Sequence, residues 1–395
     1  MKLILLCLLS GIMVSGCADT DETTESNGQE ITSSEQGNDD GQQEREEGQE
    51  QQRNEEEEHQ EEQAEQEEQE EQEEIIEEPE VVAENLEIPW TIEKEEETFF
   101  LTERTGTIIR IENGEATRQE VELEQDLSLV PEAGLLGFVL DPDFSENNLA
   151  YAYYTYEDSN GPLNRVITLE LNEEVWTEKS VLLDEIPSGR VHHGGRLKIG
   201  PDGLLYATTG DASVPELAQD LDSLAGKILR MNLDGSIPED NPYQDSYVYS
   251  YGHRNPQGLT WASDGTMYAS EHGSDANDEI NQIEAGENYG WPIIEGNEEE
   301  EGMRTPLFTS GDEETWAPSG MDYYDGKLYV AGLRGSAVYA FDLETEEQRE
   351  VISGFGRIRD VEIADELLFF ISNNTDGRGD PEGNDDQLYR LSIPD

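Results

Sequence analysis

The chain has 395 residues, 94 of them Asp or Glu against 23 Lys or Arg, for a formal net charge of −71. A protein this acidic repels nucleic acid and anionic lipid surfaces alike, which excludes nucleic-acid binding and polybasic membrane docking. Its two cysteines, Cys7 and Cys17, both lie near the start, so no disulfide framework is available to the rest of the chain.

Residues 1–16 carry one Lys, the apolar run Leu3–Leu9, and then Val14-Ser15-Gly16 leading into Cys17. The run is too short to span a bilayer and reads as a signal peptide. The small-residue approach to Cys17 resembles the lipobox of bacterial lipoproteins. That resemblance implies cleavage before Cys17, lipid on its thiol as the only membrane attachment, and a place on the outer face of the cell membrane. From Ala18 to Glu80 there are 28 acidic and two basic residues and no apolar stripe. Such a segment stays disordered and self-repelling. We read 17–80 as a tether about 45 Å in span, at roughly 5–6 Å per root residue.

Residues 81–395 form the folded part, large enough for a substantial core. They hold 20 basic and 66 acidic residues, a net charge of −46, against which any cluster of arginines is conspicuous. A unit of alternating apolar positions, a Gly or Asp turn and an aromatic-rich strand recurs from Trp90, Phe138, Leu197, Leu259, Met321 and Val361. Asp202-Gly203, Asp264-Gly265 and Asp325-Gly326 supply hairpin turns in three of these units. Six repeats at intervals of 40 to 62 residues, without long helical patterns, predict an all-β fold, a six-bladed β-propeller. A β-sandwich array is the alternative.

A propeller gathers its ligand-binding loops at one mouth of the channel. Five polar, glycine-containing segments fall at equivalent places beside the repeats: those around Glu132, His192, Arg254, His272 and Arg357. His192-His193 before Gly194-Gly195 reads either as an imidazole delivered to a ligand that approaches the backbone closely, or as a surface pair on a turn. Arg357 and Arg359, one residue apart, point to one face of a strand, where like charges need an anion between them. That anion is either a small polyanionic ligand or neighbouring carboxylates. Gly273 to Glu279 offers oxygen ligands of the kind calcium takes, without the spacing of an EF-hand. The Arg378-Gly379-Asp380 triplet reads as incidental.

In order along the chain, Ile88-Pro89-Trp90, Thr102-Glu103-Arg104, Gly134-Leu135-Leu136-Gly137, His192 with Gly194-Gly195-Arg196, Gly200-Pro201-Asp202-Gly203, Gly252-His253-Arg254-Asn255-Pro256-Gln257-Gly258 and Asn288-Tyr289-Gly290-Trp291-Pro292 resemble the pyrroloquinoline quinone (PQQ) dependent sugar dehydrogenases. The resemblance covers about residues 84 to 395. It implies a six-bladed propeller and oxidation of an aldose at C1 to the lactone, with PQQ and calcium as cofactors and electrons leaving to an external acceptor. It places the catalytic base at His192, its orienting carboxylate at Asp211 and a cation beside the quinone at Arg254. Cofactor-binding positions fall on Glu132, Arg254, Asn255, His272, Asp278, Thr315, Arg357 and Arg359, with Arg334 in place of an expected lysine. Glu132 and His272 stand where soluble glucose dehydrogenase has amides. Calcium ligands fall on the carbonyls of Gly273 and Ser274, with Glu279 and the Tyr289 carbonyl holding a further ion. A calcium-dependent propeller lactonase and a non-catalytic binding propeller are the rival readings. Neither has a use for the Arg357/Arg359 pair together with His192 and Asp211.

Overall fold

In the computed structural model the structure describes residues 78–393; the signal peptide, Cys17 and nearly all of the acidic stretch lie outside the described residues. Each sequence repeat opens an antiparallel four-stranded sheet. The meander beginning at Pro89–Glu95 continues through Thr98–Glu103, Thr107–Glu112 and Glu115–Glu122. The other innermost strands are Leu135–Leu140, Leu197–Ile199, Pro256–Trp261, Pro318–Tyr324 and Ile358–Ala364, and each contacts the next in cyclic order, the last closing on the first. This is the architecture of a β-propeller. The outer strands of the first two blades also pair in parallel, Glu120 with Val175, which fuses those blades into one eight-stranded sheet.

The ring closes with a strand that the sequence repeats do not contain. Glu80–Ala83 pairs with Leu388–Ser392, so the blade begun by Ile358–Ala364 is completed from the other end of the domain. The core is six apolar clusters, each between neighbouring blades. Phe100, Phe138, Tyr154 and Trp176 fill one, and Tyr329, Val361, Phe370 and Tyr389 another. The aromatic residues of the repeat are therefore packing between sheets, with about 25 cal/mol gained per Å² of apolar surface removed from water. Inner strands approach closely where they converge. A Cβ on Gly320 would lie 1.5 Å from Asp360 Oδ1, so only glycine fits there.

Below the mouth the channel is lined by charge. Arg196 is buried, lies 4.3 Å from the Trp90 ring centroid, and pairs with Asp360 at 2.9 Å. One level further down, equivalent positions of the inner strands supply Glu93, Lys198, Thr260, Asp322 and Glu362. Lys198 Nζ meets Glu362 Oε2 at 3.0 Å, while Glu93 Oε2 has no partner. Burial raises Glu93 to about 8 and Glu362 to about 7; Lys198 opposes both shifts. A carboxyl whose folded value is raised contributes stability that is full below its unfolded value and is lost as pH rises through the folded one. The channel therefore loses stability as pH rises from about 4.5 to 8 and does not regain it above, and Lys198 limits the loss. Lys198→Gln is predicted to lower the melting temperature by several degrees at pH 9 and by clearly less at pH 5. Equal losses at the two pH values would contradict this account.

Candidate active site at the propeller mouth

One face of the ring carries two kinds of loop: those entering each innermost strand, and those leaving the second strand of each blade. Glu132, His192, His193, Arg254, Thr315 and Arg357 lie in the first kind; Arg104, Asp211, His272, Arg334 and Arg378 lie in the second. Strand alternation within antiparallel meanders thus brings residues scattered over some 250 positions to a single rim.

His192 has φ 67°, and its amide donates to Glu132 Oε2 at 3.2 Å. Its Nδ1 lies 2.8 Å from Asp211 Oδ1. Since the carboxylate can only accept, Nδ1 carries the proton and Nε2 is the basic nitrogen, with no hydrogen bond of its own. Asp211 is buried, and it is fixed from two further directions: the Trp291 indole donates to Oδ2 at 2.9 Å and the Ser213 amide to Oδ1 at 2.8 Å. The next residue is arranged quite differently. His193 is buried, with Nδ1 at 2.7 Å from Ser188 Oγ and Nε2 at 2.9 Å from the Pro131 carbonyl. Burial depresses its pKa, and neither nitrogen is left for chemistry. Gly194 follows with φ 62°, and a Cβ there would lie 2.6 Å from Thr208 O, which explains the glycine without invoking a ligand.

Arg254 lies 5.3 Å from the Trp291 ring centroid and donates from Nη1 to the His272 carbonyl at 3.2 Å. Its Nε is shut off from solvent without a partner. Trp291 therefore connects this guanidinium to Asp211 and His192. Asn255 is buried and accepts from the Gly194 amide at 3.0 Å. The Nε2 of His272 is likewise buried and unpartnered, and burial holds the ring neutral, at about 4, against the pull of Asp278 and Glu132.

The two arginines expected to act as a pair behave differently. Arg357 precedes its strand and is neutralised by Asp376, at 3.1 Å from Nε and 3.0 Å from Nη2. For this residue the carboxylate reading holds. Arg359 is held only by neutral acceptors, Gln257 Oε1 at 2.9 Å, Ser319 Oγ at 3.3 Å and Asn373 Oδ1 at 3.2 Å, and its Nε has no partner. Burial, then Arg104 and Arg357, push it down to about 9, so it is still charged at pH 7. Arg104, Arg254 and Arg359 make no ion pair among the described residues.

Other expected site residues are spent on loop structure. Asp278 is buried and accepts from the Gly273 amide, the Thr315 hydroxyl and the Trp316 and Ala317 amides at 2.7–3.0 Å, so its carboxylate ties two mouth loops together. Thr315 Oγ1 donates its proton to that carboxylate. Arg334 is exposed, with one contact at 3.3 Å to the Asp275 carbonyl. Ser274 donates from its hydroxyl to Glu295 at 2.9 Å. Glu279 and Glu271 face each other in register on neighbouring strands, and Glu279 is raised to about 8 by burial and then by Glu271. Tyr289 stacks on His253, with ring centroids 4.8 Å apart. Among the described residues no three His, Cys, Asp or Glu side chains gather as a metal site.

The mouth residues given no role from sequence are Arg104, Gln257, Trp291, Asp376 and Arg378. Arg104, Gln257 and Trp291 sit inside segments that carried the family resemblance, which is the signal that could have found them. Arg378, given no role of its own, bonds Glu132 Oε1 at 2.7 Å across the rim. The cavity between Trp90, Gly194, Gln257, His272, Arg359 and this pair measures about 20 Å³.

Fold and site together define a β-propeller whose channel mouth combines cations that lack a counter-charge, one of them buried, with a histidine–carboxylate couple. Residues 86–389 match the glucose/sorbosone dehydrogenase family, and the chain belongs to it. It is 37% identical over 238 residues to quinoprotein glucose dehydrogenase B of Acinetobacter calcoaceticus, a match spanning 51% of this chain and 49% of that protein. Aldose sugar dehydrogenase of Escherichia coli is 29% identical over 342 residues, covering 75% of this chain and 90% of that one. The PQQ-bound aldose sugar dehydrogenase of Streptomyces coelicolor superposes with a TM-score of 0.74 at 36% identity, covering 79% of this chain and 96% of that structure.

The distinct settings of the two histidines yield a prediction. His193→Ala leaves Ser188 and Pro131 without partners and should lower the melting temperature by several degrees, while kcat for sugar oxidation per folded molecule changes less than about fivefold. Lost turnover with an unchanged melting temperature would contradict it.

Proposed function

We propose that this chain oxidises aldose sugars at C1 to the lactone, using PQQ and calcium. The observation that carries the reading is the set of cations without counter-charge, the buried Arg359 and the half-buried Arg254 above all, beside a histidine with a free basic nitrogen. A guanidinium held away from water without a counter-charge is costly, and a polyanionic ligand removes the cost. PQQ, with three carboxylates, fits that requirement, and the unpartnered Nε atoms of Arg254 and Arg359 are donors of the right sign for it. Arg254, Asn255, His272 and Arg359 would hold it, with Glu132 and Arg357 at the edge and Arg334 further out. Asp278 and Thr315 support the site from behind. When bound, PQQ would supply a quinone able to accept the C1 hydrogen of the sugar as a hydride, which carries both electrons of the oxidation.

The protein's own contribution is proton transfer and orientation. His192 Nε2 takes the proton from the C1 hydroxyl, and Asp211 stabilises the resulting imidazolium through Nδ1. Trp291 and Ser213 keep that carboxylate from turning away. Arg254, packed on Trp291, puts positive charge beside the reacting centre and favours the developing negative charge there. The carbonyls of Gly273 and Ser274 would hold a calcium ion, which would supply Lewis acidity. Glu279, a buried carboxyl opposite Glu271, fits a second ion shared with the Tyr289 carbonyl, because a cation relieves the like-charge contact.

Cleavage before Cys17, its lipidation, and a tethering role for 17–80 on the outer face of the membrane complete the proposal. The test is reconstitution of apoprotein with PQQ and calcium, followed by dye reduction with several aldoses. His192→Ala should lose about 10²–10⁴-fold in kcat while retaining PQQ binding. A chain lacking residues 18–77, which keeps the closing strand Glu80–Ala83 whole, should match the full chain in the same assay. PQQ binding without turnover of any aldose would point to the non-catalytic reading; hydrolysis of a sugar lactone without PQQ would point to the lactonase.

A further inference from the structure

Arg378 sits at the end of a short, rigid arm. A 3₁₀ turn at Asn374–Asp376 is capped by Gly377 at φ 85°, which sends the chain back toward the channel. The arm is pinned at its base. Asn374 Nδ2 donates to the Phe355 carbonyl and to Asp385 Oδ2, both at 3.1 Å, and its Oδ1 accepts from the Arg357 amide at 2.9 Å. Asp376, with a side chain only 3% exposed, accepts from Arg357 through one oxygen and from the Arg378 amide at 2.8 Å through the other. The backbone at Arg378 is thus fixed while its side chain is 52% exposed. Arg357 and Arg359, by contrast, are buried.

The side chain crosses the mouth to Glu132, whose other oxygen receives the His192 amide. Burial opposes ionisation of Glu132, but the Arg378 hydrogen bond and charge, with the His192 amide, bring it down to about 2, so the bridge is fully charged at neutral pH. Beneath it the cavity of about 20 Å³ has room for about one water. A fused-ring quinone is far larger than this cavity. The bridge is also weak, because one partner is half in water. Glu132 presents a second difficulty: unpaired, it would face the carboxylates of an anionic ligand.

We propose that Arg378 and Glu132 form a clasp over the mouth that opens for the anionic cofactor, Arg378 exchanging the Glu132 carboxylate for a carboxylate of the ligand. This rests on the reading of the site as a PQQ site. The geometry favours exchange by Arg378 in particular. It is the one rim cation seen here with a fixed backbone, a solvent-exposed side chain and a carboxylate partner that it can leave. The arm's length is set by Asp376, so the open and closed positions share one pivot.

The test is equilibrium and stopped-flow binding of PQQ to calcium-loaded apoprotein, followed by quenching of tryptophan fluorescence, without any turnover. Glu132→Gln keeps an acceptor for the His192 amide but releases Arg378, so association should quicken and affinity rise about fivefold or more. Arg378→Gln should weaken binding at least tenfold. In the Glu132→Gln background, Arg378→Gln should still weaken binding about fivefold, because the contact with the ligand itself is lost. Apo melting temperatures confirm that each variant is folded, and an affinity loss for Arg378→Gln that shrinks as salt rises supports a charge contact. If Arg378→Gln has no effect once Glu132 is Gln, the arginine merely neutralises Glu132 and the exchange is refuted. If Glu132→Gln leaves the association rate unchanged, there is no clasp to open. If the wild-type protein fails to bind PQQ at all, the functional reading fails first, and the two failures are told apart.

Discussion

A guanidinium shut away from water without a carboxylate is the constraint on which the mouth of this propeller depends. Arg359 makes three contacts to neutral oxygens and leaves Nε unsatisfied. A structural role would be better served by a carboxylate, which this chain has in excess, and Arg357 next to it has one in Asp376. The contrast between the two residues, set by a single neighbour, separates a cation used for architecture from one kept for a ligand. Arg254 repeats the second pattern, stacked on Trp291 and short of a partner.

The fold makes such a site possible by dividing labour. Apolar clusters between blades carry the packing, so the inner strands are free to line the channel with charge, Arg196 on Asp360 and Lys198 on Glu362. Closure by Glu80–Ala83 against Leu388–Ser392 locks the ring, and loops on one face can then vary without loss of the frame. His192 and His193 show how finely position is controlled. A left-handed residue at His192 turns one imidazole toward Asp211 and buries the next against Ser188 and Pro131.

Much of this was legible in the sequence because packing has a period. Aromatic strands following Asp-Gly turns announced the repeat, and each repeat start falls in or beside an innermost strand. The closing strand was not legible, since Glu80–Ala83 has no turn or aromatic signature and its partner lies more than 300 residues away. Site residues were legible where a family motif carried them, as with Asp211 and Arg254. Ion-pair partners were not. Nothing local tells that Asp376 neutralises Arg357, that Asp278 spends its carboxylate on loop amides, or that Arg378 reaches Glu132 across 246 positions. Those choices are made by the ring, which brings unrelated loops to one rim.

The central claim is that Arg359 is held unpaired for an anionic ligand, and it is tested most directly by titrating PQQ into calcium-loaded wild type and Arg359→Gln while melting both apoproteins. Loss of a charge-assisted bond worth about 1.5–3 kcal/mol should weaken binding by roughly one to two decades. The apo melting temperature should stay level or rise, because a buried charge without a counter-ion has been removed. Unchanged affinity together with a lowered apo melting temperature would contradict the account and make Arg359 a structural residue.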